Sequence, residues 1–80
     1  MARFWNSDLH HPIWLHDGTW LATLGDCGRH LLQRFAQGDG GPQLNSALKA
    51  LLEAAQAGRP EDIAFAESHV RRFFHAKAML

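Results

Sequence analysis

The chain has 80 residues, which is enough for one small hydrophobic core and too few for a second domain. Hydrophobic residues make up 46% of the sequence and include three Trp and five Phe, a composition that excludes an intrinsically disordered chain. Eight basic and eight acidic residues give a formal net charge of zero, so no overall field favours nucleic acid or an anionic membrane as a partner.

The cysteine content and the hydropathy of the sequence predict where the protein works. The single cysteine, Cys27, cannot form a disulfide within the chain, which favours a reducing compartment. No apolar run approaches the ~20 residues of a membrane span. Residues 1–11 become polar after two aromatics, unlike a secretory signal peptide. We therefore expect a cytoplasmic protein without a membrane segment.

A β-hairpin is predicted over residues 12–24, after an N-terminal segment of residues 1–11. The pair Asp17-Gly18 lies at its centre and is a strong signal for a two-residue type I′ turn, in which both central residues have positive φ. Pro12 then stands as the first residue of the first strand, where its missing N–H removes no hydrogen bond from the ladder.

This turn predicts which hairpin side chains share a face, because side chains alternate along a strand. The inner face, which we expect to pack on the helices, carries Ile13, Leu15, Trp20, Ala22 and Leu24. The outer face carries Trp14, His16, Thr19, Leu21 and Thr23. Trp14 and Leu21 stand opposite each other in this register and are predicted to form an exposed apolar patch.

Three helices are predicted after the hairpin, over residues 26–37, 42–57 and 60–77. Asp26 is the expected N-cap of the first, whose apolar stripe is Cys27, Leu31 and Phe35. The stripe of the second helix is Leu44, Leu48, Leu51, Leu52 and Ala55. The stripe of the third is Ile63, Ala66, Val70, Phe73 and Phe74. Acidic residues early and basic residues late in the third helix match the helix dipole, so this charge gradient needs no binding partner to explain it.

These elements predict the fold class. An isolated two-stranded hairpin is marginally stable in water and must bury its apolar face on the helices. The chain is therefore predicted to be a single two-layer α+β domain, in which an N-terminal two-stranded antiparallel β-hairpin packs on three α-helices in the order ββααα.

Several landmarks occur in the order found in a known family. They are the strand Pro12-Ile13-x-Leu15, the helix start at Asp26-Cys27, the segments LLQRF and ALKALLEAAQAG, the pair Gly41-Pro42 and a last helix rich in Ala and Phe. Together they resemble DUF982, a family of short alphaproteobacterial proteins of unknown function, over roughly Trp5 to Ala76. The resemblance implies a fold and no activity, so it assigns no catalytic residue.

Six histidines raise the hypothesis of a metal site. An extended strand separates His11 from His16 by roughly 13 Å or more, at about 3.3 Å per residue. His69 and His75 are six residues apart, which places them on different helix faces rather than at the i, i+4 spacing of helical metal ligands. A histidine-based metal-binding protein is the third of three functional hypotheses, and no metal or other cofactor is expected.

Catalysis and direct nucleic-acid binding are not favoured by the sequence. Cys27 lies near a helix N-terminus with His30 three residues later, but it also belongs to the apolar stripe, where a buried thiol is the commoner case. No G-x-S-x-G motif occurs, and GDGG lacks the lysine that follows a phosphate-binding loop. The short basic run in the last helix is not the strongly basic face of a nucleic-acid-binding domain. We therefore predict that the protein is not an enzyme.

Protein–protein contact through the outer hairpin face is the predicted function. The candidate partner-binding residues are Trp14, His16, Thr19, Leu21 and Thr23. Tryptophan is enriched at binding hot spots, and free backbone edges would also let a partner add a strand. The partner is either a second copy, giving a homodimer, or a different protein.

Two alternatives to this interpretation remain open. A small phage-type inhibitor, resembling anti-CRISPR proteins, would occlude a surface of a larger nucleoprotein complex; size and the lack of catalytic motifs suggest it. The N-terminal segment, with Phe4, Trp5 and Leu9, could instead fold over Trp14 and remove the patch. In the predicted register, Trp20→Ala is a core truncation costing roughly 3–5 kcal/mol, whereas Trp14→Ala removes only association.

Overall fold

Two antiparallel strands are followed by three helices, which confirms the predicted ββααα order and α+β class. The elements are β1 (Asp8–Trp14), β2 (Trp20–Thr23), α1 (Leu24–Arg34), α2 (Gly41–Ala57) and α3 (Pro60–Ala76). The computed structural model describes residues 3–36, 38 and 40–80. α1 ends at Arg34, with Phe35 as its C-cap, three residues before its predicted end at residue 37, which itself lies outside the described residues. None of the helices in this described part combines the length and hydrophobicity needed to cross a membrane.

The turn between β1 and β2 is one residue longer than predicted. The Leu15 N–H donates to the Thr19 carbonyl at 2.9 Å, and the Leu15 carbonyl accepts from the Gly18 N–H at 3.0 Å. His16, Asp17 and Gly18 therefore form a three-residue loop. Gly18 has a φ of +90°, a left-handed conformation that glycine adopts without steric cost.

The longer turn shifts the strand register by one residue. Ile13 pairs with Leu21, and Trp14 pairs with Trp20. A one-residue shift moves each β2 side chain to the opposite face, so Leu21 is only 3% exposed and Trp20 is 52% exposed. The predictions that Trp20 belongs to the core and that Leu21 lies on the outer face are therefore wrong. Three other residues of the predicted inner face are buried: Ile13, Leu15 and Leu24.

β1 begins at Asp8, earlier than the predicted residue 12, and contains an irregular stretch. Asp8 pairs with Thr23, whereas Ile13 pairs with Leu21, so β1 has extra residues between these two pairs. Pro12 lies in this stretch and not at the start of the strand as predicted. A bulge accommodates proline because the residues there have no regular ladder partner.

α1 begins two residues before its predicted start because Thr23, and not Asp26, is its N-cap. The Thr23 hydroxyl accepts a hydrogen bond from the Asp26 N–H at 3.1 Å. The Asp26 carboxylate accepts in return from the Thr23 N–H at 3.2 Å, which completes a capping box. The predicted apolar stripe of this helix is buried: Cys27, Leu31 and Phe35.

α2 and α3 lie within one residue of their predicted bounds and pack on each other across a short link. Gly58 ends α2 in the left-handed conformation, with a φ of +69°, and its N–H donates to the Ala54 carbonyl at 2.8 Å. The predicted stripe of α3 is buried in full: Ile63, Ala66, Val70, Phe73 and Phe74.

The buried face of α2 differs from its predicted stripe, because alanines occupy much of the contact with its neighbours. Its buried residues are Leu44, Ala47, Ala50, Leu51, Ala54 and Ala55. Leu48 is only partly buried, and Leu52 is 43% exposed. The small alanine side chains allow close helix packing, so Leu44 and Leu51 of the predicted stripe are buried while Leu48 and Leu52 lie toward solvent.

The N-terminal segment packs on the helices and not on Trp14. The Phe4 N–H donates to the Ala55 carbonyl at 2.8 Å. The Trp5 carbonyl accepts from the Gly25 N–H at 2.7 Å at the start of α1. Trp14 keeps 65% of its surface exposed, so the alternative in which this segment covers it is wrong.

Candidate functional site

Two tryptophans form an exposed apolar surface on the hairpin, which we call the tryptophan pair. Trp14 on β1 and Trp20 on β2 are directly opposite each other in the strand register. Their ring centroids are 4.9 Å apart and the ring planes are 86° apart, an edge-to-face contact. Such contacts are worth about 0.5–1.5 kcal/mol beyond their buried area. The two rings therefore hold each other in a defined orientation while both remain more than half exposed.

The structure brings together only part of the predicted partner-binding set. His16 is exposed in the turn, whereas Thr19 is half-buried and lies opposite the buried Leu15, on the inner face and not on the face of the tryptophan pair as predicted. Leu21 points into the core, and the hydroxyl of Thr23 is engaged as the N-cap of α1. Trp20 takes the position that the sequence assigned to Leu21. Because both residues are apolar, alternation alone did not distinguish which of them faces the core.

Polar groups lie around Trp20 where β2 meets α1. A shallow cavity of about 180 Å³ is bounded by Trp20, Arg29, His30 and Gln33, among others. Arg29 lies 3.8 Å from the Asp26 carboxylate, so charges of both signs border the ring. The His30 Nε2 is buried and has no hydrogen-bond partner among the described residues. An apolar centre with a polar border is the usual composition of a protein interface.

The backbone edges of the strands are not open for strand addition at the positions next to the helices. The His11 N–H donates to the Glu67 Oε1 at 3.1 Å. The Arg71 Nη2 donates to the carbonyls of His11 at 2.8 Å and Pro12 at 3.1 Å. On β2, the Asp26 carboxylate accepts two successive backbone N–H groups. A partner would therefore bind the side-chain face of the hairpin and not these edges.

Glu67 is a charged side chain that is only 7% exposed, and its role was not among the predicted ones. The helix dipole does not account for all the charges of α3, because Glu67 and Arg71 both bind the irregular stretch of β1. The Arg71 Nε also lies 3.4 Å from the Glu67 Oε2. A signal was present in the sequence: Glu67 recurs at helical spacing between Ile63 and Val70, in the apolar stripe.

Two of the histidines, His10 and His69, contact different parts of the chain. His10 Nε2 lies 3.0 Å from the Pro60 carbonyl oxygen, whereas the ring of His69 packs edge-on against Phe65 with centroids 4.5 Å apart. Within residues 3–36, 38 and 40–80, no three His, Cys, Asp or Glu side chains lie close enough together to hold a metal ion. The described geometry gives the metal-binding hypothesis no site.

Cys27 is expected to be unreactive in the folded protein. Burial raises the pKa of its thiol from 9.0 to about 12, and the negative charges of Asp26 and Glu67 act in the same direction. About a thousandfold less thiolate is then present at pH 8 than in an exposed cysteine. We expect a disulfide reagent to modify the folded chain at least about a hundredfold more slowly than the urea-unfolded chain. Equal rates in the two states would show that the thiol is accessible.

Comparison of the chain with known proteins identifies no relative. No protein-family model matches the chain, and neither does a curated protein or a solved structure. The resemblance to DUF982 therefore stays a prediction. A function for this chain has to be inferred from its exposed side chains and their surroundings.

Proposed function

We propose that this protein is a non-catalytic interaction module that binds a protein partner through the tryptophan pair. The observation that carries the proposal is the edge-to-face contact of Trp14 and Trp20, which leaves both rings more than half exposed. Tryptophan dominates binding hot spots because it buries a large area at a small cost in side-chain entropy. The single, buried cysteine, Cys27, leads us to place this interaction in the cytoplasm.

The backbone that carries the tryptophan pair is held on several sides. Glu67 and Arg71 bind the backbone of β1 just before Trp14. At the turn, the His16 N–H donates to the carbonyl of Met79 at 2.9 Å, so the C-terminal segment holds the loop. A surface that is ordered before binding loses less conformational entropy on association, which favours tight binding by a small patch.

The exposed area favours a different protein over a second copy at this site. With about 250 Å² for each tryptophan, the exposed fractions of 65% and 52% amount to about 300 Å². Two copies meeting through this patch would bury about 600 Å² in total, below the ~1,000 Å² that a specific interface needs. A partner with an apolar cleft can enclose both rings and also contact the polar border.

We expect Trp14→Ala and Trp20→Ala each to weaken partner binding at least about tenfold. The immobilised chain would be incubated with lysate of the cells that produce it, and retained proteins would be quantified by mass spectrometry. The matched control is Leu52→Ala, which shortens an exposed apolar side chain on α2. Binding constants of the identified partner would then be measured by calorimetry for all four chains.

The results of this binding experiment distinguish the proposed function from the alternatives. A partner lost from both tryptophan variants but kept by Leu52→Ala supports the proposal. A partner that both tryptophan variants retain would refute it. If the partner is a nucleoprotein complex whose activity the chain blocks, the phage-type inhibitor is the specific form of the same function.

A further inference from the structure

A groove runs along one side of the α2–α3 pair, away from the tryptophan pair. Near the link between the helices, a cavity of about 440 Å³ is bounded by Ala50, Glu53 and Phe65, among others. Toward the opposite ends of the helices, a second cavity of about 410 Å³ is bounded by Ser46 and Phe73, among others. The function proposed for the hairpin uses neither cavity.

Unpaired charges of opposite sign mark the two ends of this groove. Glu53 is exposed in the cavity near the link, and Arg72 is exposed in the far cavity. Within the described part of the chain, neither residue makes an ion pair or a side-chain hydrogen bond. Lys49 is also exposed on α2, but it bounds neither cavity. Arg59 also bounds the cavity near the link, but it is paired with Asp62 and Glu61. The net charge is therefore negative at the end near the link and positive at the far end.

An exposed aromatic residue lies beside Glu53, at the end of the groove near the link. Phe65 is 59% exposed, although its ring packs edge-on against His69. It borders the cavity near the link, so its ring stands at the rim of the groove. A second molecule can bury this exposed Phe ring and fill the cavity beside it.

The spacing of these residues is self-complementary. Because α2 and α3 are antiparallel around the link at Gly58, Glu53 lies at about the level of residue 64 on α3. Arg72 lies about eight residues further along, or about 12 Å at 1.5 Å per residue. A two-fold axis across the groove midway between them brings Arg72 of each copy level with Glu53 of the other, on the neighbouring helix, so the two long side chains can meet across the groove. The same axis places Phe65 opposite the far cavity of the other copy, which Phe73 bounds.

We propose that the chain forms a symmetric dimer through this groove, with Phe65 of each copy in the far cavity of the other and two Arg72–Glu53 ion pairs across the interface. Each 17-residue helix is about 25 Å long, and the two-helix face offers on the order of 500 Å² per copy. The total of about 1,000 Å² is at the lower limit for a specific interface, so the dimer is weak, with a Kd on the order of 100 μM.

This dimer does not depend on partner binding by the tryptophan pair, but it would strengthen that binding. A dimer built through α2 and α3 leaves both tryptophan pairs exposed. Two linked sites bind a partner that has two copies of the target more tightly than one site does, because the second contact is made within the complex.

Sedimentation velocity over a concentration series tests the dimer. The wild-type chain should shift from monomer to dimer below about 1 mM. Phe65→Ala, Glu53→Lys and Arg72→Glu should each weaken the dimer at least about tenfold. The single variants Glu53→Lys and Arg72→Glu, mixed in equal amounts, should associate again, because each supplies the charge that the other needs. Trp14→Ala serves as the control and should dimerise like the wild type.

Each result either supports or overturns the dimer. Association of the mixed charge variants, with neither associating alone, supports an interface in which position 72 faces position 53. A wild-type chain that stays monomeric to about 1 mM overturns the proposal. So does a dimer that survives Phe65→Ala or is lost in Trp14→Ala. Circular dichroism of each variant confirms that these exposed substitutions leave the fold unchanged.

Discussion

Leu21→Ala is expected to lower the free energy of unfolding by about 2–5 kcal/mol, because it truncates a side chain that lies in the core. Trp20→Ala, one position earlier, is expected to lower it by less, about 1–2 kcal/mol. About half of the Trp20 surface already faces solvent, so the substitution loses the edge-to-face contact with Trp14 and only a partial burial of the ring. Urea unfolding of the two variants and the wild type measures both values.

The order of these two values decides between the two registers of the hairpin. Leu52→Ala makes the same chemical change as Leu21→Ala at a position that is 43% exposed, and should lower stability by no more than about 1 kcal/mol. If Trp20→Ala proved more destabilising than Leu21→Ala, the turn would have two residues. Trp20 would then lie in the core, and the tryptophan pair and the function proposed for it would both be lost.

Glu67→Ala is expected to lower the free energy of unfolding by about 2–4 kcal/mol. The substitution leaves the His11 N–H without its acceptor and Arg71 without its carboxylate. Glu67→Gln keeps an acceptor for that N–H and should cost clearly less. Urea unfolding gives the energies, and hydrogen exchange at the His11 amide reports on the individual hydrogen bond.

The same substitution connects the fold to the proposed function. Since Glu67 and Arg71 position β1 just before Trp14, Glu67→Ala should also weaken partner binding although it removes no residue of the tryptophan pair. Glu53→Ala, an exposed glutamate without a described partner, is the matched control at concentrations where the chain is monomeric. Equal stability of Glu67→Ala and Glu53→Ala would show that the buried carboxylate does not hold β1.

The helices could be placed from the sequence because their signals are local. The apolar positions of α3 recur every three or four residues, and Gly58 supplies a left-handed end for α2. These effects act within one or two helical turns and need no knowledge of the neighbouring elements. The exposure of Trp14 followed in the same way, from simple alternation along β1.

The register of the hairpin was decided only by tertiary packing. Asp17-Gly18 suits both a two-residue turn and the three-residue loop that forms, in which Gly18 alone needs positive φ. Leu21 and Trp20 are both apolar, so hydrophobicity did not indicate which of them would be buried. The choice depends on which side chain fits the space between the helices, and that space exists only after they pack.

Contacts between residues far apart in the sequence account for the remaining differences between the predicted and the observed structure. The acceptor for the His11 N–H is 56 residues away on α3, and the donor to the His11 carbonyl is 60 residues away. In the sequence, Glu67 and Arg71 look like ordinary helix charges, since acidic residues early and basic residues late in α3 match the helix dipole. Their role arises because an irregular strand leaves backbone groups unpaired, and buried backbone groups must find partners wherever the fold provides them.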